Sequence, residues 1–417
     1  MTVDINKKLI SFSSVIFCLL PLCLLTGPFL PDLIISIMGI IFLLQLIDKK
    51  NIVYINSFFF KFFFAFYIFL VISSLFSSEI FFSMRSSLSY IRFPVFVLAV
   101  WFLLDNNKYL LKYFTISLFI AILLSIIDGY YQYFVGENIF GFVADQKSRL
   151  TLLYDDKMIL GSYIARLFPL LVGLIILKFY SLKSYIAILL LFIISDVLIY
   201  MSGERTALGL MTVTTILFIF ISSKFSFLRI LALLLSILII LFLSISNEEI
   251  RKRNIDYTIT QLGLDVEDKK IVLFSPSHES MIYTSLNILK ENILIGSGPN
   301  SYRKLCDTPG LSHNDLSCST HPHNNYIQVA AETGIVGLGF IFFLFIFLVS
   351  KLINLFVVKL RNNTNPSHDY MLCIFISFTL TLWPLTPSLN FFNNWINIIY
   401  FLPVGFYLYQ INKVNEN

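Results

Sequence analysis

The run His321-Pro322-His323-Asn324-Asn325-Tyr326-Ile327-Gln328-Val329-Ala330-Ala331-Glu332-Thr333-Gly334-Ile335-Val336-Gly337 is where a long polar loop re-enters a strongly apolar segment. Two of the five histidines fall in it, two residues apart. On both sides, apolar runs recur at the length a helix needs to cross hydrocarbon, about 20 residues. Of 417 residues, 57% are hydrophobic and 13% charged, whereas a soluble domain carries about 25% charged. Mean hydropathy is +0.81. The short alternating segments of a membrane barrel are absent, so the expected class is an all-α polytopic membrane protein. The first run, 9–27, has no small-residue cleavage site and is followed at once by another, so it reads as a helix and not as a signal peptide. The net charge of +5 is what basic membrane loops supply and points to no nucleic acid.

Twelve spans are expected, at about 9–27, 29–47, 57–76, 87–104, 109–135, 158–177, 184–201, 206–222, 228–246, 326–350, 370–388 and 395–411. Cytoplasmic loops carry the excess of Lys and Arg. With the N-terminus in the cytoplasm, those loops hold Lys7, Lys8, Lys49, Lys50, Lys108, Lys112, Lys178, Lys183, Lys224, Arg229, Lys351, Lys359, Arg361 and Lys413. The opposite turns at 27–29 and 389–394 hold none, and 77–86 holds only Arg85. The chain then divides into nine helices over 1–246, a large outside loop over 247–325, and three helices over 326–417. Glu248 to Lys270 is charge-rich and reads as a mobile stretch. A helix is expected after Ser275-Pro276-Ser277, with Met281, Ile282, Leu286 and Leu289 on one face. Gly296-Ser297-Gly298-Pro299-Asn300 forces a tight turn.

By parity, four further segments share the face of the histidine run: 136–157, with Arg149, Asp155 and Asp156; the turn Ser202-Gly203-Glu204-Arg205-Thr206; the loop bearing His278 and Arg303; and the turn from Pro387 to Trp395. A neutral imidazole at this boundary is able to take a proton from a sugar hydroxyl, which makes His323 the candidate base. The plain alternative is a helix-capping histidine. Asn325 is placed to orient His323 or a substrate, and the role of His321 is open. Two histidines without a nearby cysteine or carboxylate make a poor zinc site. An arginine between two apolar helices is costly unless it meets an anion, and its guanidinium forks onto phosphate. Arg205 is therefore a substrate-binding candidate, against a pair with Glu204 or a snorkelling side chain. Arg149, Arg303 and His278 are weaker candidates of the same kind. The intramembrane Arg92, Arg166, Asp128 and Asp196 are equally open to functional roles or mutual pairing.

Cys18, Cys23 and Cys373 fall in apolar spans. Cys306 and Cys318 lie in the outside loop, where a disulfide is expected; closing such a loop contributes about 3 kcal/mol in the chain-entropy view. Gly334-Ile335-Val336-Gly337-Leu338-Gly339 reads as the opening of a helix with close helix packing, since a phosphate loop needs a preceding strand and a Lys-Ser/Thr pair.

Ser202-Gly203-Glu204-Arg205-Thr206-Ala207, Ile295-Gly296-Ser297-Gly298-Pro299 and the run His323, Asn325, Gly334, Gly337 together resemble the bacterial O-antigen ligase and polymerase superfamily. These are multispanning, GT-C-like glycosyltransferases. The resemblance implies about twelve transmembrane helices with one large, partly helical periplasmic loop, in the bacterial inner (cytoplasmic) membrane, with the active site facing the periplasm. It implies transfer of a glycan from undecaprenyl pyrophosphate to a lipid A–core sugar hydroxyl, inverting and without metal or cofactor, with His323 as base and Arg205 on the pyrophosphate. Members carry a second arginine where this chain has His278-Glu279-Ser280, which leaves Arg303, Arg149 or a protonated His278 for that role. A polymerase using a second lipid-linked glycan is the close rival. A non-catalytic lipid-glycan transporter is the rival from another class, but the paired halves usual in transporters are absent from this sequence.

Overall fold

The computed structural model describes residues 2–143, 149–151, 153, 159–179, 181–261 and 275–416. Asp155, Asp156 and the stretch 262–274 lie outside the described residues. Among those described the chain is helical, apart from one bridge between Glu137 and Val143. The main helices are α1 (Thr2–Cys23), α2 (Phe29–Gln45), α3 (Phe58–Leu75), α4 (Ile80–Tyr90), α5 (Arg92–Asn106), α6 (Leu110–Val135), α7 (Leu160–Lys178), α8 (Leu182–Met201), α9 (Arg205–Ile221), α10 (Ser226–Ser246), α11 (Pro276–Glu291), α12 (Asn325–Leu360), α13 (His368–Leu382) and α14 (Asn394–Glu416). Among the described residues, eight segments are long and apolar enough to cross a membrane: Ile5–Thr26, α3, Ile80–Asn106, α6, α7, α8, α10 and α12. Helices α2, α9 and α13 are shorter apolar helices. The protein is an all-α, polytopic membrane protein.

Helix α7 is the centre of the bundle, with Phe168, Leu170, Leu171 and Val172 fully buried. It packs on α13 at Gly173, where a Cβ would lie 2.7 Å from the Cβ of Cys373. Only a residue without a side chain allows that approach. The peripheral α10 instead exposes Leu234, Leu238 and Phe242, a face suited to lipid.

The intramembrane charges find partners the spacing alone did not reveal. Arg92 donates to Asp32 on α2 at 3.0 Å. Arg229 makes a forked pair with Asp196 on α8, at 2.6 and 3.1 Å, and also donates to Thr215. Arg229 is thus a buried helix-linking residue and not a loop cation, and the sequence expectation is corrected there. Arg166 donates to the carbonyl of Leu380 at 2.9 Å, and Asp128 accepts from the amide of Ile139 at 2.8 Å. Each pairing answers the cost of a charge in a water-poor interior.

The glycine-rich run also differs from expectation. Gly334 does not open a helix; it interrupts α12, at φ 64° and ψ −170°. That backbone region is open essentially to glycine alone. The interruption lets the chain at 293–298 pair with α12 through its backbone: Ser297 N to Ala331 O (3.1 Å), Gly298 N to Glu332 O (2.8 Å) and Ile335 N to Ile293 O (2.8 Å). A Cβ on Gly334 would lie 2.3 Å from the carbonyl oxygen of Leu294, and one on Gly296 2.4 Å from the Glu332 backbone. At Gly334 the close approach is between loop and helix, whereas at Gly337 a Cβ would lie 3.3 Å from Cε1 of Phe69 on α3.

Gly334→Ala is therefore expected to cost about 2–4 kcal/mol, combining backbone strain and the clash. Gly339→Ala, where a Cβ meets nothing within 4 Å, is the neutral control. Thermal unfolding of the detergent-solubilised protein checks this, and equal midpoints for the two variants would contradict it.

Candidate active site

The turns of one parity meet at one end of the bundle. Leu150 donates its amide to Ser202 at 3.4 Å, which brings Arg149 beside the Ser202–Glu204 turn. Glu204 accepts from the amides of Gly161 (2.6 Å) and Ser162 (3.0 Å). It caps the N-terminus of α7, where a carboxylate is favoured by the helix dipole. Burial nevertheless lifts its carboxyl to about 7. Arg205 begins α9, with the charge of Arg149 within electrostatic reach.

Pro276 starts α11. Its fixed φ suits the first turn, and it sets His278 two residues further in. The Ser275 hydroxyl lies 2.6 Å from His278 Nδ1. Burial lowers the pKa of His278, and the Arg205 guanidinium lowers it further. The His278 ring is 5.6 Å from that of His323, nearly edge to face. Arg149, Arg205, His278 and His323 therefore form a connected series across three separate chain segments.

The two histidines of the opening run are not equivalent. In His321, Nε2 lies 3.0 Å from the Ser388 carbonyl and Nδ1 2.9 Å from the Thr320 hydroxyl. A carbonyl only accepts, so Nε2 carries the proton and Nδ1 is left to accept. Burial, then the charges of His323, Arg303 and His278, push its pKa down to about 4. His321 is a neutral imidazole with both nitrogens engaged. His323 is half-buried, in the left-handed region at φ 54°. Its carbonyl accepts from Ser388 N at 2.8 Å, and its Nε2 meets the Ser319 hydroxyl at 3.3 Å. The rings of His321 and His323 are 4.1 Å apart. Burial, then His278, hold His323 below its ordinary 6.5.

The helix cap is Asn324 and not a histidine. Its Oδ1 accepts from Tyr326 N (3.0 Å) and Ile327 N (3.1 Å), and its Nδ2 donates to Pro384 O (2.7 Å). An asparagine just before an apolar periodic run is a helix-start signal, so this residue was open to detection. Asn325 turns to α13, donating to Thr381 O at 3.3 Å, while its buried Oδ1 lacks a hydrogen bond among the described residues. It does not touch His323 within the described hydrogen bonds. Arg303 lies exposed on a short helical turn, Tyr302–Leu305. Its charge reaches His321 and Glu332, whereas that of Arg205 reaches His278. Cys306 and Cys318 form a disulfide with Cα atoms 5.0 Å apart, beside a small core of Met281, Ile288, Tyr302 and Ala331.

Residues 186–343 match the family model described as O-antigen ligase. The match supports the O-antigen ligase and polymerase superfamily. No curated protein matches the chain. The ligase match spans Arg205, His278, Arg303, both histidines, the disulfide and the Gly334 break; Arg149 and the turn from Pro384 to Asn394 lie beyond it. Ligase and polymerase family members are glycosyltransferase-like enzymes that work on lipid-linked glycans in membranes. Consistent with lipid substrates, an apolar cavity of about 360 Å³ lies between α3, α12, α13 and α14, walled by Phe62, Phe66, Phe340, Phe343 and Phe401. It is lined by no charged residue.

A base acts in its unprotonated form, and His323 is held below 6.5. If His323 is the base of a transfer reaction, its rate should rise with pH through an acid limb below 6.5 and be flat at neutrality. His278→Ala removes the neighbouring charge, so it should move that limb to higher pH. A pH profile of kcat/KM checks this; a limb that stays put or moves to lower pH would contradict it.

Proposed function

We propose that the protein is an O-antigen ligase of the bacterial inner membrane, with twelve spans and its active site facing the periplasm. It transfers a glycan from undecaprenyl pyrophosphate to a sugar hydroxyl of lipid A–core. The observation that carries this reading is His323: a half-buried imidazole held below its ordinary pKa, with the His278 ring 5.6 Å away and the guanidinium groups of Arg205 and Arg149 beyond it.

In this reading the pyrophosphate occupies the Arg205 side. Guanidinium forks match phosphate oxygens, and they stabilise the charge that grows on the leaving group in a site poor in water. The acceptor hydroxyl oxygen attacks the anomeric carbon from the opposite face. The bond from that carbon to the pyrophosphate oxygen breaks and its electron pair leaves with undecaprenyl pyrophosphate. The hydroxyl proton passes to His323, and the anomeric carbon is inverted. His321, with both nitrogens occupied, positions the Ser388 turn and His323, and is not a contact for substrate. The apolar cavity beside α3 and α12 gives a lipid chain a place to lie while the head groups align.

His323→Ala is expected to abolish transfer, with polymerised glycan accumulating on the lipid carrier and lipopolysaccharide reduced to bare core. A core bearing a single repeat unit would indicate a polymerase instead, and unaltered lipopolysaccharide would remove both readings. Arg205→Lys keeps the charge but loses the fork, and should lower transfer at least tenfold. Full activity in that variant would make Arg205 structural.

A further inference from the structure

Around Arg303, whose charge reaches His321, lies a second cavity, of about 200 Å³, lined by Asn300, Arg303, Asn390, Phe392, Asn393 and Asn394. We propose that it is the acceptor's saccharide subsite, in which Arg303 holds an anionic substituent of the sugar. This rests on the glycosyl-transfer reading above.

The lining is suited to sugar recognition. Side-chain amides both donate and accept, as sugar hydroxyls do, and Phe392 adds an apolar wall. The cavity has room for about one sugar ring. It is also built into the fold. Asn390 is buried; its Oδ1 accepts from Gln328 Nε2 (3.1 Å) and Phe392 N (2.8 Å), and its Nδ2 donates to Asn300 Oδ1 (3.0 Å) and Thr320 O (3.3 Å). Asn300 is fixed in the left-handed region, at φ 64°, by its amide's bond to Glu332 at 3.0 Å. This framework leads directly to the reacting end, because Thr320, which Asn390 holds, also bonds His321.

Arg303 supplies the one charge of the lining. Among the described residues it makes no hydrogen bond or ion pair, whereas Arg92, Arg166 and Arg229 are each engaged within the bundle. A guanidinium at the rim of a neutral amide cavity suits a carboxylate or phosphate on the bound sugar. The geometry of displacement assigns the substrate. In an inverting transfer the acceptor oxygen and the leaving pyrophosphate lie on opposite sides of the anomeric carbon. Arg205 is felt at His278 and Arg303 at His321, so with pyrophosphate at Arg205 a sugar beside Arg303 is assigned to the acceptor.

The test is binding, so it reads out even if no transfer occurs. The probe is the water-soluble core oligosaccharide released from lipid A by mild acid, titrated into the detergent-solubilised full chain by calorimetry. Arg303→Gln, an exposed substitution with no partner to lose, is expected to weaken binding at least tenfold, and Arg303→Lys less. Removing phosphates from the probe, or reducing its carboxyl groups, should reproduce the Arg303→Gln loss in one arm and so name the anion. In turnover, Arg303→Gln should raise KM for the acceptor and leave KM for the lipid-linked donor unchanged. Equal affinity of wild type and Arg303→Gln for the native probe would overturn the proposal, as would a rise confined to the donor KM. Wild-type binding lost in Arg303→Gln, without any transfer by wild type, would retain the saccharide subsite and remove the transfer reading and the acceptor assignment with it.

Discussion

Everything at the reacting end depends on how the long loop is fastened to a membrane helix. The fastening is the interruption of α12 at Gly334. An unbroken helix keeps its amides and carbonyls for itself; the break frees backbone groups for the segment 293–298, which takes up four of them. Glu332, one turn inside, then accepts from the amides of Asn300 and Tyr302 and from Gln328, each at 3.0 Å. A buried carboxylate has to find such donors, and here they come from the loop. The polar segment thus does not float above the bundle; it shares hydrogen bonds with a long apolar helix.

That anchoring explains the division of labour around the histidines. The Ser388 turn receives His321 and donates to His323, so the two rings have a common support on α13's exit. Burial, then His278, holds His323 below its ordinary pKa, and burial, then Arg205, does the same to His278; Arg149 lies within electrostatic reach of Arg205.

How much of this can be read from sequence follows from the range of each interaction. Apolarity over twenty residues is local, so the helices and their rough limits are readable, as is the alternation of basic loops. Proximity of the turns follows from parity. The start of α11 is carried by Ser275-Pro276, a local signal. The ion pairs Arg92–Asp32 and Arg229–Asp196 join residues 60 and 33 apart, and nothing local marks them; Arg229, close to Lys224, looks like a loop cation. The Gly334 run reads as helix packing because φ at a glycine is set by what approaches it, here a segment about 40 residues upstream. The Asn390–Gln328–Asn300 framework is invisible for the same reason. Asn324 is different: its capping signal is local, and it was overshadowed by the histidine beside it.

The central claim is that this end of the bundle moves a glycan from a lipid pyrophosphate to a sugar hydroxyl with His323 as base and no metal. It is tested most directly by reconstitution. The purified chain in detergent would receive the undecaprenyl-pyrophosphate-linked glycan and lipid A–core in the presence of EDTA, with both products counted by mass spectrometry. The account predicts glycan-bearing lipid A–core and free undecaprenyl pyrophosphate in equal amounts, and neither from His323→Ala. Absence of both products from the wild-type chain, or undiminished yield from His323→Ala, would contradict it.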